Sequence, residues 1–506
     1  MKRVLLALLA VLFAWPHPAY ATEPFTSIEQ LNQKGVTIGT DTGNVAQIAV
    51  EQQLPNATIV YFNDSFTGYE AVAQGKVDAF AYDRRQMELA IKNGRSDVRL
   101  LDENFDRKTK ICVGISSVSQ IDDLEGKINR FIAELRADGT LDDMFQRWVL
   151  DENYAMPVLN VPQEAPIRLM VGTSGIVPPY SFYEGEGLTG YDIELARRFA
   201  VWLGASLEFE VYDYGSIIQA AESGKIDCIM ANLQADDERR SAFTFSDPLY
   251  EENVALMVRD DGQGAGSSFF DKLAQSFDKT FVREDRWRLF VEGVVNTLLI
   301  TVSSMALGIV LGFALFMRCR NGSRLMLAVT DACLWVVRGM PVVVLLMLLA
   351  YVVFAKLSIS GTAIAVIGFT LTFGCTVFAL LETGVGAVGG GQYEAARALG
   401  YNDRQAFFRV VLPQAVPHMT AAFRAEATGL LKATSVVGYV TVQDLTRMGD
   451  IVRSRTYEAF FPLIAVTVIY FVLEGLIDLA LGWLETHQDP RRRTPESILK
   501  GVEAHD

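Results

Sequence analysis

The sequence predicts an exported α/β domain of two lobes, followed by an all-α transmembrane domain of about five spans. Three observations predict it. Charge divides the chain: residues 22–287 carry a net −19 and residues 288–506 a net +2, within a total of −15. Strand-like and helix-like segments alternate before residue 260, as α/β domains require, whereas apolar runs long enough to cross a bilayer dominate after residue 288. A passage also repeats: Ala71-Val-Ala-Gln-Gly-Lys-Val-Asp78 parallels Ala220-Ala-Glu-Ser-Gly-Lys-Ile-Asp227. Each reads as a helix end, a Gly-Lys turn and a buried strand. Repeated units imply two similar lobes, and a cleft between such lobes is a natural small-ligand site.

From the N-terminus, residues 1–21 combine a basic start, a short apolar core and Ala19-Tyr20-Ala21. That is the pattern of a secretory signal peptide, and it is short for a membrane span. No Cys follows the cleavage site, so a lipoprotein anchor is not expected. The acidic exported half argues against nucleic acid and anionic membrane surfaces as partners. The five Cys show no disulfide or metal-site spacing. Asp260 to Ser268 is a flexible linker by composition, and Phe269 to Phe281 reads as an interfacial amphipathic helix. Spans are expected at about 289–316, 327–355, 361–382, 424–442 and 459–484. Glu292, Arg338, Glu382 and Lys432 fall in or near them, where ionisable groups are costly and often functional. Arg318, Arg320, Arg324 and Arg491-Arg-Arg493 fit the positive-inside rule; Arg447, Arg453 and Arg455 fit it less well.

Between the third and fourth expected spans lies Glu394 to Pro413, EAARALGYNDRQAFFRVVLP. Gly391-Gln392 precede it, Leu412-Pro413-Gln414-Ala415 close it, and Lys432-Ala433-Thr434-Ser435 follow. Arg338-Gly-Met-Pro341 stands near the second span. Over about 290–485 the sequence resembles the polar amino acid branch of ABC-transporter permeases. The resemblance implies a cytoplasmic coupling helix, with Glu394, Ala395, Ala396, Gly400 and Phe407 engaging a separate ATPase subunit. It implies that Phe407 and Phe408 fill a groove on that subunit. Glu382 stands where relatives often carry Arg, so its role is open.

In the exported half, Gly190-Tyr-Asp-Ile-Glu-Leu-Ala196, Ala231 to Arg240 and Phe245-Ser-Asp-Pro248 resemble extracytoplasmic amino acid-binding proteins, the solute-binding family 3 type. The resemblance makes Arg239 the clamp of the ligand carboxylate, which a guanidinium's planar two-donor fork suits. A surface Arg paired with Glu238 or Asp237 is the alternative. Tyr180 and Tyr214 are expected to stack on the ligand, or to be core or rim aromatics; Asn232 and Gln234 join the site. Thr42 and Gly43, in the loop after Gly35-Val-Thr-Ile-Gly-Thr, open a helix and form an anion site. Asp83 falls where the family holds the ammonium; a helix N-cap is the alternative.

The order of these pieces is inverted. The segment resembling lobe two, about 26–117, precedes Ile128 to Trp148, which resembles the family's closing helices. The opening strand, Ile167 to Gly172, comes only then. The chain therefore reads as a circularly permuted periplasmic-binding-protein-like domain, or as two truncated domains. The permuted reading expects a single chain crossing between lobes near 117–126. The divisions are a signal peptide at 1–21, lobe two with returning helices at 22–158, and lobe one at 159–259. A linker at 260–287, a permease domain at 288–486 and a cytoplasmic tail at 487–506 follow.

No Walker A pattern and no Ser/His/Asp constellation is present, and the chain has only four His. An enzyme is therefore not expected, nor a cofactor or metal. The function expected is that of an ABC importer subunit in the inner membrane, multi-pass, with its binding domain outside. It captures a polar L-amino acid, pairs with a second permease copy or homologue, and borrows a cytoplasmic ATPase. A ligand-gated channel is the other class; it would want a re-entrant selectivity loop that the sequence does not show.

Overall fold

The computed structural model describes residues 25–41, 44–62, 64–93, 95, 97–184, 187–212, 214–235, 244–260, 269–320, 322–355, 357, 359–456, 458 and 460–488. The chain divides into two compact units, residues 1–108 with 253–265, and residues 109–252 with 266–506.

The first unit is lobe two. β1 (Thr37–Asp41), α1 (Val45–Gln53), β2 (Thr58–Phe62), α2 (Ser65–Ala73), β3 (Ala79–Asp83), α3 (Arg84–Lys92) and β4 (Val98–Ile111) alternate in order. The sheet runs β2-β1-β3-β13-β4, with β13 spanning Tyr250–Arg259. β1 pairs in parallel with β2 and β3. β13 pairs antiparallel with β3, Val254 facing Asp83 and Val258 facing Ala79. Ile38, Ala79, Ala81, Val254 and Leu256 form the core between the sheet and α1. Residues 253–259 thus complete lobe two rather than lobe one. The chain crosses between units after Lys108, after Glu252 and again after Ala265, not once near 117–126.

The second unit opens with lobe one. β5 (Gly114–Ile115) leads to α4 (Leu124–Ala137) and α5 (Thr140–Phe145). Then come β6 (Arg168–Thr173), the small antiparallel sheet β7 (Ile176–Val177), β8 (Ser181–Glu184) and β9 (Gly187–Thr189), and α6 (Tyr191–Leu203). β10 (Ser206–Val211), α7 (Tyr214–Glu222), β11 (Cys228–Ile229) and β12 (Thr244–Phe245) complete it, in sheet order β10-β6-β11-β5-β12. The closing helices are fastened to α6 through Glu194, which is fully buried. Its carboxylate accepts from Arg147 Nη2 at 2.9 and 3.1 Å, Arg198 Nε at 2.8 Å and Trp148 Nε1 at 2.6 Å. A buried carboxylate so completely paired avoids the cost of an isolated charge. Closing helices therefore pack on lobe one although they precede its first strand, the order a permuted binding domain requires.

The repeated passage folds twice alike. Lys76 N donates to Ala71 O and Lys225 N to Ala220 O, each closing a helix over a Gly at positive φ. The Asp78 carboxylate then accepts from Thr37 N at 2.8 Å, and that of Asp227 from Met170 N at 2.9 Å. Each Asp ties its strand to the first strand of its own lobe.

Beyond α8 (Phe269–Phe277) come the membrane helices. They are α9 (Trp287–Arg320), α10 (Arg324–Gly339), α11 (Val342–Leu348), α12 (Gly361–Gly386), α13 (Gly391–Ala398), α14 (Asp403–Ala406), α15 (Leu412–Ala433), α16 (Leu445–Thr456) and α17 (Phe460–Gln488). Among the described residues, three helices are long and apolar enough to cross a membrane: α9, α12 and residues 461–483 of α17. Helices 324–339 and 342–353, bent by 107°, make a fourth if they count as one span. The expected span at 424–442 is corrected: α15 starts at Leu412, carries Arg424, Glu426 and Lys432, and yields to a 3-10 turn at Thr434–Val440. Pro413 sits in the first turn, where its missing N–H costs nothing. The cations Lys432 and Arg424 of α15 pair with α17, through Lys432–Glu474 at 2.7 Å and Arg424–Asp478 at 2.5 Å.

Candidate ligand-binding and coupling sites

In lobe two, Asp83 ends β3 and is 1% exposed. It occupies the N-cap position of α3, yet its side chain makes no capping hydrogen bond. The alternative reading of Asp83 as a helix cap therefore does not account for its carboxylate. Asp41 ends the neighbouring parallel strand, and Asp64 caps α2 by accepting from Thr67 N at 2.8 Å. Burial, reinforced by the charges of Asp64 and Asp83, pushes the Asp41 carboxyl well above its usual range. The strand ends of lobe two thus form an acidic edge, with Asp41 and Asp83 on neighbouring strands. Thr42 and Gly43 lie outside the described residues, flanked by Asn44, whose side chain caps α1 by accepting from Ala46 N at 2.8 Å.

In lobe one, Tyr180 is a core residue, 1% exposed and stacked on Tyr250 with ring centroids 6.0 Å apart. Asn232 has a left-handed backbone, φ 51°. Two bonds hold that conformation: Asn232 N donates to Asp192 at 2.7 Å, and Asn232 Oδ1 accepts from Tyr250 Oη at 2.7 Å. Burial pushes the Asp192 carboxyl up to about 7, against the lowering effect of the Asn232 N–H. Gln234 is buried beside Ile111 through a bridge between strands. Arg239 and the side chain of Tyr214 lie outside the described residues, as do the signal segment, linker residues 261–268 and tail residues 489–506.

The coupling segment folds as α13, a turn at Gly400 and α14. Gly400 has φ +86°, a left-handed conformation that disfavours a side chain. Asn402 and Gln405 form a reciprocal capping box that restarts the helix. Glu394, Ala395 and Gly400 are exposed and Ala396 is buried. Phe407 corrects an expectation: it is 0% exposed, stacked on Phe316 at 6.2 Å with the Arg320 guanidinium 4.3 Å from its ring centroid. It anchors the segment to its own bundle and cannot enter a partner's groove. The exposed apolar side chains are Leu399, at 79%, and Phe408.

Residues 169–436, more than half the chain and beginning at β6, match the family of bacterial extracellular solute-binding proteins, family 3. The chain belongs to this family. Its membrane half belongs equally with the amino-acid ABC-transporter permeases. The permease GlnP of Rickettsia conorii, provisionally named for glutamine transport, is 30% identical over 221 residues, 43% of this chain and 97% of that protein. GlnM of Bacillus subtilis, an ABC permease provisionally named for glutamine, is 27% identical over 206 residues, 40% of this chain and 94% of the relative. The arginine-binding extracellular protein ArtP of Bacillus subtilis is 31% identical over 94 residues, 19% of this chain and 37% of ArtP. The permease is thus a multi-pass membrane protein carrying a solute-binding domain, a transporter subunit rather than an enzyme.

Proposed function

We propose that the chain is both the substrate-binding and the membrane-spanning subunit of an ABC importer for a polar L-amino acid. The observation that carries this reading is the union, in one chain, of a family 3 solute-binding domain with a full-length permease match that includes the coupling segment. Asp83 takes the ligand ammonium and Arg239 the carboxylate. Thr42, Gly43, Tyr214, Asn232 and Gln234 complete the site, and Tyr180 supports it from the core of lobe one. The acidic edge at Asp41 and Asp83 supports the ammonium assignment. The binding domain lies outside the inner membrane, and Glu394, Ala395, Ala396 and Gly400 meet a separate cytoplasmic ATPase.

A second permease subunit, a copy or a homologue, covers α10. Trp335 is 77% exposed, and Asp331, Arg338 and Glu382 line one exposed cavity of about 430 Å³. Charged groups at membrane depth avoid lipid and face protein or water.

The test of ligand capture is calorimetry on the full chain in nanodiscs, titrated with L-glutamine and L-arginine. Losing one partner of a desolvated charge contact costs roughly 2–5 kcal/mol. Arg239→Ala is expected to weaken binding of the recognised amino acid at least ~30-fold, and unchanged affinity would remove Arg239 from the site.

A further inference from the structure

Arg447 fitted poorly with the charge pattern of the membrane half, and the structure gives it another role. It lies in the first turn of α16 and is 5% exposed. Its Nη2 donates to Ser174 O at 2.5 Å and to Tyr212 O at 3.1 Å. These are the carbonyls just beyond β6 and β10, the two strands that run side by side in lobe one. One guanidinium from the membrane domain therefore closes the ends of two adjacent strands of the solute-binding lobe.

The contact is built from both sides. Asp444 caps α16, accepting from Arg447 N at 3.0 Å and Thr446 N at 3.1 Å, and so fixes where the Arg447 side chain starts. Leu445 N donates to Thr297 Oγ1 at 3.1 Å, and Asn296 Nδ2 donates to Gln443 O at 2.9 Å, which fastens this turn to α9. Closeness there is enforced: a Cβ on Gly293 of α9 would meet Leu445 Cα at 2.7 Å. The Gln443 side chain in turn donates to Tyr183 Oη of β8. Ile176 and Tyr183 of lobe one pack on the apolar cluster of Leu289, Met448 and Ile451. A chain of direct contacts thus runs from the strand ends of lobe one to the helices of the permease.

Ser174 itself stands out at these strand ends. Its hydroxyl is buried and has no hydrogen-bond partner among the described residues. The neighbouring Thr173 hydroxyl, by contrast, pairs with Ser181 at 2.5 Å. An unpaired buried hydroxyl is costly unless something else fills its valence. The Arg447 contact therefore lies on the backbone of a residue whose buried hydroxyl has no partner among the described residues.

We propose that Arg447 is a positioning residue that keeps lobe one docked on the membrane helices throughout transport and couples the ends of β6 and β10 to α16. A freely tethered binding domain would instead need to dock and undock with each cycle. The proposal rests on the importer reading only for its functional consequence. The docking itself is tested without transport.

The first experiment uses the full chain with its native cysteines replaced and cysteines placed at Tyr183 and Gln443. Bifunctional thiol reagents of graded length are applied in nanodiscs, with the ATPase present, under apo, L-glutamine, L-arginine and ATP-plus-vanadate conditions. Equal cross-link yield in every condition is expected, and uptake activity should survive the link. A yield falling several-fold in any condition, or uptake abolished by the link, would overturn permanent docking. The second experiment compares Arg447→Met and Arg447→Lys in the otherwise native chain, reconstituted with the ATPase. Amino acid affinity is expected to stay within about 3-fold in both. Ligand-stimulated ATPase activity should fall at least about 10-fold in Arg447→Met and recover substantially in Arg447→Lys, whose ammonium still reaches a carbonyl. Wild-type stimulation in Arg447→Met would refute the coupling role. An absence of stimulation in the wild-type chain would indict the importer reading and leave the cross-linking result standing.

Discussion

Asp192 shows how one residue carries the conformation of a loop in lobe one. It is buried, and its carboxylate fixes Asn232 in a left-handed conformation through the Asn232 N–H. Its pKa, raised to about 7 by burial, makes this contact pH-sensitive. The unfolded chain releases this proton near the ordinary Asp value of ~3.9. Between there and about 7 the folded state holds more protons, so lobe one loses stability as pH rises through that window and is insensitive above it. Asp192→Asn retains an acceptor for Asn232 N and removes the titration. Hydrogen exchange across β6 and α6 should therefore show protection falling between pH 4.5 and 7 in the native chain, and a flatter profile in the variant, given about 1.4 kcal/mol per unit of pKa difference. Identical profiles would place the titrating group elsewhere. At this scale the sequence was informative where chemistry is local. Asp83 is expected to end its strand, and it does so as a buried residue at the N-cap position of α3. Arg447 was flagged only as a misfit, because its partners lie more than two hundred residues away and are backbone carbonyls, which no side-chain pattern reveals.

Among the elements, the coupling segment divides its residues between holding and reaching. Phe407 is sealed against Phe316 and Arg320, whereas Leu399 and Gly400 project from the turn. Truncating the buried ring should cost about 3–5 kcal/mol, the range for core aromatic deletions. Phe407→Ala is therefore expected to lower the thermal midpoint of the whole permease. Leu399→Asp should leave the midpoint within error while abolishing co-purification of the ATPase; retained co-purification would exclude Leu399 from the interface. Gly400→Arg adds both bulk and a conformational penalty of roughly 1–2 kcal/mol at φ +86°. It should leave amino acid affinity intact and remove ligand-stimulated ATPase activity in reconstituted vesicles. The segment's existence was legible from Glu394-Ala-Ala to Leu412-Pro413, but which Phe turned inward was not, since Phe407 and Phe408 are adjacent and equally apolar. The fourth span misled for a related reason. The span expected at 424–442 overlaps the end of α15, which stops at Ala433 and whose cations Arg424 and Lys432 pair with Asp478 and Glu474 of α17.

Over the whole molecule, the repeat was the most legible feature. Asp78 and Asp227 occupy the same hydrogen-bonding position in the two lobes, so the echo in sequence is an echo in structure. The inverted order of segments was also legible, because Ile128 to Trp148 precedes the strand on whose lobe it packs. The crossings were not: β4 and β13 each run through the boundary between units as continuous strands, and their composition does not change there. The resulting molecule joins capture and translocation in one polypeptide, and this is the central claim. Its most direct test is uptake into proteoliposomes containing only this chain and its cognate ATPase, with ATP inside and radiolabelled L-glutamine or L-arginine outside. The account predicts ATP-dependent accumulation of one of these amino acids with no added binding protein, lost in Arg239→Ala at low substrate concentration. Accumulation that appears only after a separate solute-binding protein is supplied would contradict it.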